Sequence, residues 1–158
     1  MSDVELVIAQ ALLRCRRVAA GATELMPMLG GVMPYQGADV SALPLIERTA
    51  AVAFIKRFEQ LQDLIARLAR ASASWEGVDA TSLTHRDIGD WLEKRALLDK
   101  AEEWMVAVRL RNRLAHEYPV DEGEQVRRLN ECWGLMPLLH GILTAFDAWL
   151  QQKGLASQ

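Results

Sequence analysis

The chain has 158 residues, 51% of them apolar and 25% charged. That is enough to bury one hydrophobic core, and it is too apolar for a disordered segment. A formal charge of −3 excludes broad electrostatic capture of nucleic acid, leaving room only for a small local RNA or nucleotide site.

The first helix is expected to open after Ser2, where "SDVE" has the spacing of a capping box closed by Glu5, and to run to about Glu24. The Gly- and Pro-rich stretch over residues 27–44 then reads as a long loop, a candidate lid or partner contact. A second helix is predicted over 44–71. In it Phe54, Phe58, Leu61, Ile65 and Leu68 recur at helical spacing as one apolar stripe. "THRD" at 84–87 predicts the cap of a short third helix through Trp91, and "DKAE" at 99–102 the cap of a fourth carrying Trp104, Met105 and Val108. Pro119 disfavours helical geometry at Tyr118, so the fourth helix should stop there. "DEGE" at 121–124 begins the last helix, which runs through Val126, Leu129, Trp133, Met136, Leu139, Leu143, Phe146 and Trp149, with a kink expected at Pro137.

The periodicity is helical throughout, which predicts an all-α, up-down bundle of four main helices and one short one. A single helical domain is expected over 1–152, with a flexible tail over 153–158. The acids in "MSDVELVIAQ" are not those of a secretory signal. The longest apolar run, "GLMPLLHGILTAF", is broken by Pro137 and His140 and is too short to span a bilayer. Cys15 and Cys132 form no CxxC or Cys/His cluster and read as small buried apolar residues in a reducing compartment. The expectations are a cytoplasmic location, no membrane contact, no metal site and no cofactor. The tryptophans read as core or interface anchors. His85 is expected to be exposed, and His140 half-buried and hydrogen-bonded. Asp63 and Glu59 are expected on a solvated face, with contact to an arginine cluster as the alternative.

One stretch, "RNRLAHEYP" at 111–119, carries chemistry. Each residue turns about 100° on a helix, so Arg111 and Tyr118 fall on one face, and Arg109, Asn112 and His116 on another. Five residues apart, Arg111 and His116 diverge by about 140° and do not converge on one atom within an undistorted helix. His116 lies where the negative end of the helix dipole favours its protonated form, and Asn112 is one turn back, within reach of it. Arg111 offers a fork suited to phosphate, while Arg109 and Arg113 add local positive potential for RNA. A histidine to move protons and an arginine to hold a pentacovalent phosphate suffice for metal-free RNA cleavage by the neighbouring 2′-hydroxyl. A charged last turn of a surface helix is the alternative reading of the same residues.

The order Arg111, four residues, His116, one residue, Tyr118, with Asn112 directly after the arginine and Trp104 upstream, resembles the signature of the HEPN superfamily and most nearly its HepT-like toxins. The resemblance rests on residues 99–125; beyond them it is one of architecture only. It implies a homodimeric helical bundle with two copies of the motif around one cleft. It also implies a metal-independent ribonuclease that leaves a 2′,3′-cyclic phosphate, with Arg111 and His116 catalytic and Asn112 supporting them. Tyr118 matches the tyrosine that receives AMP from an MNT-type nucleotidyltransferase antitoxin, the implied partner. Pro119 departs from the family pattern, in which an aromatic or aliphatic residue is more usual. Two alternatives stay open: a non-cleaving HEPN subunit that binds nucleotide or docks a nucleotidyltransferase, and a helical interaction module.

Overall fold

A computed structural model describes residues 1–156. Five helices and two short 3-10 turns make an all-α bundle, with no strand among the described residues. The central helix, α2 (Leu45–Trp75), packs against each of the others: α1 (Asp3–Leu29), α3 (His85–Lys94), α4 (Ala101–His116) and α5 (Glu122–Gln152). Its stripe of Phe54, Phe58, Leu61, Ile65 and Leu68 is wholly buried, as the spacing predicts. α2 runs past the expected end at 71 because Ser72 and Ala73 are buried in the core, the Ser72 hydroxyl being satisfied on the Leu68 carbonyl at 2.8 Å. No helix among the described residues is long and apolar enough to cross a membrane.

The capping boxes expected at Ser2/Glu5 and Thr84/Asp87 both form. α1 continues beyond Glu24, through Pro27, to Leu29. A proline removes one backbone donor, and the burial of Leu29 in the core secures the extra turn. The following segment is not a free lid. The Asn130 amide of α5 brackets Tyr35, accepting from its N–H at 2.7 Å and donating to its carbonyl at 2.9 Å. The Tyr35 hydroxyl donates to the Asp39 carbonyl, and Val40 and Leu43 enter the core. Asn130→Ala removes both backbone bonds, so unfolding free energy should fall by about 1–3 kcal/mol, read from the denaturant midpoint. An unchanged midpoint would mean that the bracket holds nothing.

α3 ends on an unusual residue. Ala96 adopts a left-handed φ of 57° so that Leu97 N–H reaches the Leu92 carbonyl at 3.0 Å. Glycine avoids the Cβ penalty there, so Ala96→Gly should stabilise the protein by about 0.5–1 kcal/mol in the same measurement. α4 is not capped by "DKAE" as the spacing predicts. Its N-cap is Lys100, which makes no side-chain cap, and Ala101 N–H is met instead by Glu93 of α3 at 3.3 Å. Glu102 is drawn away because Arg86 and Arg109 both donate to its carboxylate.

α5 begins at the expected cap, Asp121 accepting from Glu124 N–H at 2.8 Å, and Pro137 lies inside the helix without ending it. Of the tail expected over 153–158, residues to Ala156 are described. Leu155 is buried and its N–H donates to the Leu150 carbonyl at 2.8 Å, while residues 157 and 158 lie outside the described part. Cys15 and Cys132 are buried free thiols; burial pushes Cys15 up to about 12 and Cys132 also upward. His140 is half-buried, but its Nε2 has no partner among the described residues, contrary to the hydrogen-bonded state expected.

Candidate functional site

Pro119 sets the end of α4. The helix stops at His116, and Glu117 is extended at φ −122°, ψ 116°. Tyr118 therefore leaves the helix and stands 94% exposed. The face it would share with Arg111 on an ideal helix does not exist, because the helix ends two residues before it.

Arg111 turns inward towards α2. Its Nη2 meets Asp63 Oδ1 at 3.5 Å, its Nη1 donates to Asn112 Oδ1 at 3.4 Å, and its Nε is buried without a partner among the described residues. Asp63 also pairs with Arg67, so the contact to the arginine cluster forms, where a solvated face was expected. Glu59, its companion on α2, pairs with Lys56 instead. His85 is half-buried rather than exposed, with Nδ1 unpartnered. Burial lowers its pKa, the positive charges of Arg70 and Arg111 lower it further, and Asp63 opposes them. Arg111 thus sits in a compact polar cluster between α2, α3 and α4.

His116 is exposed on the other side of α4 and lines two adjoining depressions. One, of about 670 Å³, is basic, with Arg109, Arg113 and Asn112 along it. Arg109 is paired with Glu102 at 2.6 Å and Arg113 with Glu131. The Arg109 pair is solvent-exposed and therefore weak, while the Arg113 pair is part-buried. The other depression, of about 370 Å³, lies between α2 and the start of α5. Asn112 serves Arg111 rather than His116, against the one-turn spacing.

Sequence reasoning missed Arg128, which is 5% exposed and lines this second depression. Its Nη1 donates to the Glu117 carbonyl at 2.6 Å and its Nη2 to Glu124 at 3.0 Å. The other Glu124 oxygen accepts from Val120 N–H at 2.7 Å, a bond that lowers the carboxyl pKa. Both ends of the Glu117–Val120 turn are thus clamped to the first turns of α5, which fixes where His116 and Tyr118 stand. The available signal was Glu124 four residues before an arginine that follows Val126 by two and directly precedes Leu129.

Within one chain, then, the structure gathers Arg111, Asp63 and His85 on one side of α4, with Asn112 standing between that cluster and the basic depression. It gathers His116, Arg109, Arg113 and Arg128 on the other, and it does not bring Arg111 and His116 together. Among the described residues no group of three or more His, Cys, Asp or Glu is placed to hold a metal ion. Comparison with protein-family models, with curated proteins and with solved structures found no match to this chain.

Proposed function

We propose that this chain is a metal-independent endoribonuclease of the HEPN type, the toxin of a HEPN/MNT pair, acting as a homodimer. The carrying observation is the end of α4, where Arg111, Asn112 and His116 lie on the last two turns beside the exposed Tyr118. Separation of Arg111 from His116 within a protomer supports a site shared between two copies, in which one chain's arginine meets the other's histidine across a two-fold axis. In that site Arg111 holds the non-bridging phosphate oxygens as negative charge builds. His116 moves the proton between the 2′-hydroxyl, which forms the new O2′–P bond, and O5′, which leaves as the P–O5′ bond breaks. The products are a 2′,3′-cyclic phosphate and a 5′-hydroxyl. Tyr118, fully presented by the clamped turn, is the acceptor for AMP from a nucleotidyltransferase antitoxin, and the added anion beside the cleft repels RNA.

The test is incubation of the purified protein with RNA in EDTA, followed by end analysis of the products. Cyclic-phosphate ends that disappear in Arg111→Ala and His116→Ala are the expected result. No cleavage, or cleavage that survives in both variants, removes the proposal, and a strictly monomeric mass at micromolar concentration removes the shared site.

A further inference from the structure

The depression behind His116 differs in character from the basic one in front of it. About half of its lining is apolar, from Val52 and Ile55 of α2, Leu114 of α4 and Pro119. Its polar groups are His116, Arg128, Glu117 and Gln125. Arg128 already donates to the Glu117 carbonyl and to the Glu124 carboxylate, and Glu117 brings a negative charge of its own. The pocket is therefore close to neutral and a poor seat for phosphate, although its Arg128 is almost wholly buried with Nε unpartnered. The side-chain amide of Gln125, by contrast, makes no protein hydrogen bond among the described residues, and it offers both a donor and an acceptor. Tyr118 supplies an exposed aromatic ring at the rim. At about 370 Å³ the space falls at the small end of cavities that hold small ligands, roughly 300–1,000 Å³.

We propose that this pocket takes one unstacked nucleobase of the RNA strand, the base adjacent to the scissile phosphate, with Gln125 reading its edge and Tyr118 stacking on it. A flat, neutral heterocycle with a polar rim matches a lining that is half apolar and half polar, with a free amide, and unpaired RNA is recognised through bases splayed onto aromatic rings. His116 forms the wall common to both depressions. A base in this pocket therefore leaves the phosphodiester at the imidazole and sends the next phosphate along Arg109 and Arg113. Phosphates set position and bases set identity, so the two depressions divide the work. The inference rests on the ribonuclease reading for the identity of the strand, and on the pocket alone for the base.

Two measurements on the 158-residue chain test it. Saturation-transfer NMR with AMP, GMP, CMP and UMP, and with ribose 5-phosphate as control, reports which protons touch the protein. Cut-site sequencing of a randomised RNA reports base preference. Base protons should receive saturation, Ile55→Trp should weaken nucleotide binding at least about tenfold by filling the pocket, and Gln125→Ala should flatten preference at one nucleotide beside the cut. If ribose 5-phosphate binds as well as the nucleotides, or if both variants bind nucleotide and choose sites as the wild type does, the base pocket is overturned. That result leaves cleavage through His116 standing. The converse outcome is saturation of base protons that is lost in Ile55→Trp, with no cleavage of RNA. That outcome upholds the pocket and overturns the ribonuclease.

Discussion

Arg111→Ala and His116→Ala should each lower RNA cleavage by about 10²–10⁴-fold, the range for losing a transition-state charge clamp or a general acid–base group. The two variants should then rescue each other when mixed. In a dimer whose sites each take Arg111 from one chain and His116 from the other, an Arg111→Ala/His116→Ala heterodimer has one intact site and one doubly damaged one. Random exchange makes about half the dimers mixed, so roughly a quarter of wild-type activity returns. A site built within one protomer gives no rescue, because every site then carries one lesion. The separation of the two side chains favours the first result, since Arg111 is held by Asp63 in the cluster between α2, α3 and α4, while His116 lines depressions that Arg111 does not border. Cleavage assays on the mixture and on each variant alone decide between them.

Trp104→Ala should be the most damaging substitution for stability, at about 3–5 kcal/mol. The ring is fully buried, and its Nε1 donates to the His85 backbone carbonyl at 3.1 Å. Gly89 of α3 leaves room for it, since a Cβ there would come within 3.1 Å of the indole. Truncation leaves both a cavity and an unpaired carbonyl, and a loss of this size is a large part of the net stability of a domain. Trp104→Phe keeps most of the packing and loses the bond, so its cost should be smaller, about 1–2 kcal/mol. Chemical denaturation of both variants measures the difference, and a drop below about 1 kcal/mol for Trp104→Ala would show that α4 is seated by other contacts. Because Trp104 and Arg111 lie on one helix, a loosened α4 also misplaces the arginine against Asp63.

Local chemistry was legible wherever it acts within a few residues. The boxes at Ser2/Glu5 and Thr84/Asp87, the stop before Pro119 and the stripe from Phe54 to Leu68 all follow from spacing. The misses share a cause, since in each a partner distant in sequence overrides a local preference. Glu93 supplies the cap that "DKAE" does not, Leu29 holds α1 past Pro27, and Asn130 ties down the segment that reads as a loose loop. His85 is half-buried because α4 packs over α3, which no pattern within "THRD" records.

The same division runs through the site. Sequence alone determined that Arg111, Asn112, His116 and Tyr118 crowd the end of a helix, because residue order and one proline decide that without any tertiary contact. Tertiary structure decided which way each of them looks. Asp63 draws Arg111 to one side, and Arg128 with Glu124 clamps the turn that presents Tyr118. α2 supplies the apolar wall facing His116. A side chain's direction depends on the groups that face it across the bundle, and those partners, up to 48 residues away for Arg111, are set by packing rather than by spacing.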